Sequence, residues 1–118
     1  MPAKDYRDLV VWKKAFELTL AIYRETAHFP AEEKYGLTSQ LRRCSVSIPS
    51  NIAEGEGRGS REFRHYLSMA LGSLNELETQ ILLCRALKYM ADGQVAALMA
   101  LAGEVGRLTN GLSRSLRG

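Results

Sequence analysis

The sequence predicts an all-α protein: an up-down-up-down four-helix bundle, one domain over residues 1–118. Three observations lead there. Apolar residues recur at three- and four-residue spacing in four separate stretches, the pattern of helices that each bury one stripe. The connections between them are short, so consecutive helices turn back on one another. The 118 residues, 46% hydrophobic and 25% charged, suit a single core that buries roughly 65% of the surface of the unfolded chain.

The first helix is predicted over about 9–28, with Asp8 as its N-cap and Pro30 closing it. It carries two apolar rows: Leu9, Trp12, Phe16, Leu20, Tyr23 and Ala27, and beside them Val11, Ala15, Leu18 and Ile22. One row suffices for a lone bundle, so the surplus points either to a subunit contact or to a wide core face. The second helix, about 37–56, has the stripe Leu37, Leu41, Cys44, Ile48 and Ile52. Pro49 in its interior removes a hydrogen bond and crowds the Ser45 carbonyl, which predicts a kink. Ser45, Ser47, Ser50 and Asn51 stand around it as candidates to satisfy the freed backbone groups.

The third helix, about 61–90, opens after Ser60 as N-cap. Phe63, Leu67, Ala70, Leu74, Leu77, Ile81 and Cys84 form an unbroken heptad seam. Gly72 within it lowers helix stability by about 1 kcal/mol relative to alanine, which marks it as a candidate close helix approach. Asp92 is the expected cap of the fourth helix, about 93–114, with the seam Leu98, Leu101, Val105, Leu108 and Leu112. Gly103, Gly106 and Gly111 make this the weakest helix by propensity, dependent on packing for its order.

Cys44 and Cys84 are the only cysteines and both fall on apolar stripes, as expected of reduced core thiols. The N-terminal residues Met1 to Asp5 are followed by no long apolar run, and no stretch approaches the ~20 residues of a membrane span. A cytoplasmic protein without membrane contact is expected. The net charge of +3 favours acidic partners without requiring them.

A helical bundle invites a test for a di-metal carboxylate site, and the chain holds two Glu-x-x-His pairs, Glu25–His28 and Glu62–His65. One pair ends the first helix and the other begins the third. In an up-down-up-down bundle they stand at opposite ends, roughly 25 Å apart by helical rise. No metal, no cofactor and no catalytic residue is expected. No nucleophile–base set or phosphate-binding glycine-lysine loop is present either, so the chain reads as not an enzyme.

The best candidate binding element is Gly55-Glu56-Gly57-Arg58-Gly59-Ser60-Arg61, where glycines open the backbone just before a helix N-terminus. Arg58, Arg61 and Arg64 recur at three-residue spacing and fit a phosphate grip. Glu54, Glu56 and Glu62 interleave with them, which fits a capped turn with surface ion pairs equally well. Arg42 and Arg43 on the second helix complete the candidate nucleic-acid-binding set. Lys13-Lys14 and the run Arg107, Arg114 and Arg117 are further basic groups, the last following the final acid, Glu104.

In order along the chain, Leu9-Val10-Val11-Trp12-Lys13, Tyr35 to Arg43, Ser47-Ile48-Pro49-Ser50-Asn51-Ile52-Ala53-Glu54-Gly55-Glu56-Gly57-Arg58 and Gly72 to Glu78 form a connected series. In these the chain resembles the four-helix-bundle proteins encoded in intervening sequences of bacterial 23S ribosomal RNA genes. Those are similar in turn to the accessory variability determinant of diversity-generating retroelements. The resemblance spans about Tyr6 to Leu112 and is loosest in the fourth helix. It implies a ring-shaped homopentamer, which would account for the doubly apolar first helix. Through the retroelement relatives it implies RNA or DNA and a reverse transcriptase as partners, met through basic surfaces. The expectation is a non-enzymatic homo-oligomeric bundle that binds structured RNA or another nucleic acid through arginine-rich surfaces. The alternative is a protein-interaction scaffold that docks a partner such as a reverse transcriptase and has no nucleic-acid affinity of its own.

Overall fold

The computed structural model describes residues 5–117; the reading of Met1 to Lys4 lies outside them. Four helices account for the architecture: α1 Val10–Thr26, α2 Leu37–Gly55, α3 Ser60–Ala86 and α4 Asp92–Ser115, with short 3-10 turns at Tyr6–Asp8 and Ala31–Glu33. Pairs of neighbouring helices pack α1 on α2, α2 on α3, α3 on α4, and α4 back on α1. The molecule measures 45 × 24 × 21 Å, and its long axis matches the ~40 Å that a helix as long as α3 spans.

Contacts fix the directions. Thr19 meets Ser45, and Thr26 meets Arg42. Cys44 meets Ser73, and Gly55 meets Phe63 and Tyr66. In each pair the later residue of one helix meets the earlier of the next, so α1, α2 and α3 alternate in direction. Lys14 reaches Glu104 while Leu9 to Val11 lie with Leu108 and Leu112, which sets α4 antiparallel to α1. The bundle is up-down-up-down, as the short connections require.

The core confirms the third-helix seam residue for residue: Phe63, Leu67, Ala70, Leu74, Leu77, Ile81 and Cys84 are all buried. In α1 the second row is the core, with Val11, Ala15, Leu18 and Ile22 buried. Of the first row, Phe16 and Leu20 are each 47% exposed and Tyr23 is 42% exposed. The surplus apolar surface is therefore an outward face and not a widened core. In α4 the buried line is Val95, Leu98, Ala102, Val105 and Thr109, with Leu101, Leu108 and Leu112 flanking it half-buried. Leu98 and Val105 are core as expected, while Ala102 and Thr109 take the places expected of Leu101 and Leu108, because leucine was favoured over the smaller side chains. Thr109 suits the core because its hydroxyl donates to the Val105 carbonyl at 2.7 Å.

α2 stays α-helical through Pro49 without dividing there, and continuity alone establishes no kink. Because Pro49 has no N–H, the Ser45 carbonyl loses its helical donor. The Thr19 hydroxyl of α1, 2.9 Å away, supplies it. The polar residues around the proline do other work: Ser45, Ser47 and Asn51 donate to the carbonyls of Arg42, Cys44 and Ser47.

The remaining corrections concern ends and glycines. Asp8 lies in the 3-10 turn, itself capped by Asp5, whose carboxylate accepts the Arg7 N–H at 2.7 Å. α1 starts two residues later and ends at Thr26. Ser60 and Asp92 are the first helical residues, and Gly59 and Ala91 occupy the cap positions. α3 stops at Ala86, short of Met90, because Lys88 takes a left-handed conformation, φ 64°, and turns the chain. A Cβ on Gly72 would meet nothing within 4 Å, so no helix approaches there. The close approaches are at Gly55, where a Cβ would stand 2.7 Å from the Tyr66 Cβ, and at Gly106, where it would stand 3.2 Å from Leu74.

Candidate nucleic-acid interface and apolar face

The five arginines expected to form a binding surface divide into two structural kinds. Arg58 is committed to the α2–α3 corner. Its Nε donates to the Glu54 carbonyl at 2.8 Å, and its terminal nitrogens reach the Glu54 carboxylate at 2.7 Å and the Glu62 carboxylate at 3.2 Å. The guanidinium also lies over the Tyr66 ring, 5.1 Å from its centre. The hydrogen bonds to Glu54 and then Glu62 push its pKa up from an already high value. Arg42 is held as well: Nε donates to the Thr26 hydroxyl at 2.9 Å, and the guanidinium lies 4.6 Å from the centre of the Tyr23 ring. A terminal nitrogen comes within 3.4 Å of the Tyr23 carbonyl, near the negative end of the α1 dipole. Both side chains fasten helix ends, a role that their sequence positions did not distinguish from ligand binding.

Arg43, Arg61 and Arg64 form no ion pair with the described residues. Arg43 faces outward along α2, beside an open groove that includes Glu76. Arg61 and Arg64 line a shallow groove at the start of α3 together with Glu62 and His65. Arg64 is half-buried, and its Nε is enclosed without a hydrogen-bond partner. Glu62 turns to Arg58, which leaves the two arginines uncompensated. The expected set is thus not one patch: Arg42 and Arg43 lie far along α2 from the α3 start, where Arg61 and Arg64 are brought together.

A second exposed feature lies between α1 and α2. Trp12, Phe16 and Leu20 of α1, with Val46, Pro49 and Ala53 of α2, line an apolar groove of about 340 Å³. Trp12 packs against Phe16 with ring centres 5.0 Å apart and against Tyr6 at 5.3 Å. Aromatic rings held in this way present a stiff apolar ridge with little entropy left to lose on contact. The doubly apolar pattern of α1 announced the ridge; only packing showed which row composes it.

Neither cysteine offers reactive chemistry. Burial pushes both thiols up to about 11, so they stay protonated at neutral pH. Cys44 donates to the Ser73 carbonyl at 3.0 Å. The two Glu-x-x-His pairs fall at opposite ends of the bundle, and no group of three metal-ligating side chains occurs among the described residues. No helix among these residues is long and apolar enough to cross a membrane.

Residues 7–111 match the family model described as 23S rRNA-intervening sequence protein. The chain belongs to that family. The fold of this 23S rRNA-intervening sequence protein is similar to the crystal structure of a protein of unknown function from Bacteroides thetaiotaomicron, described as from the S23 ribosomal protein family. The TM-score is 0.79 at 24% identity, covering 88% of this chain and 98% of that one. At that identity the likeness carries the fold alone. Among curated proteins none matches the chain.

Proposed function

We propose that this family member is a non-enzymatic, homo-oligomeric helical bundle that binds structured RNA or another nucleic acid through arginine-bearing surfaces. The observation that carries the reading is the groove at the start of α3, where Arg61 and Arg64 stand side by side without a carboxylate on either. Guanidinium groups in such a setting suit phosphate oxygens, which they meet in planar, two-pronged hydrogen bonds. The apolar ridge of Trp12, Phe16 and Leu20 supports self-association, and the family resemblance implies a ring of five copies. Ridge and basic groove lie on different elements, so one surface can be buried between copies while the other stays open.

The test is affinity of the purified protein for a structured RNA across a salt series, with mass measured by light scattering in the same buffers. Tight binding that weakens linearly in the logarithm of salt is expected, with an oligomer throughout. An oligomer without RNA affinity at low salt sinks the nucleic-acid reading. It would favour the scaffold reading, in which the assembly docks a partner protein such as a reverse transcriptase.

A further inference from the structure

The uncompensated arginines of α3 have counterparts at the far end of the chain. Leu74 of α3 packs closely on Gly106 of α4. Arg64 lies about 15 Å before Leu74, by helical rise, and Arg114 and Arg117 lie about 12 Å and 16 Å beyond Gly106. Since the two helices are antiparallel, all three stand at the same end of the bundle.

The faces agree too. Arg64, Leu67, Leu71 and Leu74 recur at three- and four-residue spacing on one stripe of α3. Gly106, Asn110, Ser113 and Arg117 do so on the stripe of α4 that begins at the Leu74 contact. The Arg117 N–H donates to the Arg114 carbonyl at 3.2 Å, which continues the helical turn past Ser115. Both arginines are exposed. No acidic side chain occurs on α3 between Glu62 and Glu76, or between Glu104 and Arg117. Glu62 is engaged by Arg58, and Glu104 by Lys14 at 3.0 Å. Glu62 lines the same groove but is paired with Arg58, so the arginines at this end of α3 and α4 outnumber the acidic side chains of those two helices.

We propose that Arg61, Arg64, Arg114 and Arg117 form one composite site that takes the phosphodiester backbone of a nucleic acid, a proposal that rests on the nucleic-acid reading above. Packed helix axes lie about 8–10 Å apart, so arginines carried on two helices can meet more than one phosphate of a strand. A set of guanidinium groups reads charge and spacing, so binding is independent of base sequence.

The experiment uses the full chain with two probes, a short oligouridine and an oligoadenosine of equal length, each titrated across a salt series. For the wild type the slope of log affinity against log salt counts the phosphates engaged, at about 0.7 per contact on a single strand. The double variant Arg114→Gln/Arg117→Gln is expected to flatten that slope by about 1.4 on both probes, and Arg61→Gln/Arg64→Gln to do the same. The corresponding lysine double variants, which keep the charge, are expected to restore it. Arg85→Gln, in the last turn of α3 at the other end of the bundle, is expected to leave it unchanged. Wild-type binding whose slope survives the α4 double variant overturns the composite site while the nucleic-acid reading stands. A wild type that binds neither probe nor structured RNA at low salt overturns both. Loss confined to one of the two homopolymers overturns the claim of backbone recognition.

Discussion

The two corners that bound α3 end their preceding helices in the same backbone conformation with different residues. After α2, the left-handed position one past the C-cap is Gly57, φ 86°; after α3 it is Lys88, φ 64°. At the second corner the backbone closes the helix by itself: the Tyr89 N–H donates to the Cys84 carbonyl at 2.8 Å and the Lys88 N–H to the Arg85 carbonyl at 3.0 Å. At the first corner the equivalent carbonyl, Glu54, receives the Arg58 side chain instead. A glycine in the turn thus goes with a side-chain clasp, and a complete backbone cap goes with a strained lysine. The first corner also needs glycine for a second reason, since α3 presses directly on Gly55.

The largest expected effect comes from that contact. Gly55→Ala would place a methyl group against the Tyr66 Cβ and the Phe63 ring, and should destabilise the protein by about 2–3 kcal/mol in urea denaturation. A loss below about 0.5 kcal/mol, less than ordinary overpacking, would mean that the first corner relaxes and differs from the second only in its turn. Next come two reciprocal changes. Gly57→Lys should cost about 1 kcal/mol and Lys88→Gly should gain about as much, because the left-handed conformation penalises a Cβ at either corner. Equal and opposite shifts in denaturation midpoint would establish that the corners share one backbone requirement; a neutral Lys88→Gly would break the comparison. Gly72→Ala, between the corners and facing open space, should stabilise by about 0.5–1 kcal/mol through helix propensity alone.

The smallest effect is confined to alkaline solution. The Tyr89 hydroxyl donates to the Glu33 carboxylate at 2.9 Å, and this bond, ahead of burial, raises the tyrosine pKa above its ordinary value. A group whose pKa is raised on folding contributes stability that is fully present below its unfolded pKa, about 10 for tyrosine. The contribution is lost as pH rises through the folded value. Stability of Tyr89→Phe followed into that range should fall less steeply than that of the wild type. Parallel curves would show that the Tyr89–Glu33 link adds nothing to the second corner.

The corners also show how far the sequence could be read. Glycines at 55 and 57 announced the end of α2, and the unbroken α3 seam announced its buried face, because periodicity and turn chemistry are local properties. The stop at Ala86 was not legible, since lysine carries no left-handed signal and apolar residues continue to Met90. Arg58 was visible as a basic residue beside glycines, yet whether it would meet a phosphate or the carbonyl of Glu54 depends on the path of the turn.

The sequence by itself determined four helices, their order and alternating directions, and the surplus of apolar surface on α1, since these follow from spacing and short connections. Only the tertiary structure decided that Phe16 and Leu20 face outward while Leu18 and Ile22 face inward, because two apolar rows of similar hydrophobicity are told apart only by what packs against them. It also decided that Thr19 would satisfy the carbonyl that Pro49 frees, and that Gly106, not Gly72, would be the close approach. Each depends on the register between helices, which interdigitation of side chains sets and the spacing within a single helix does not encode.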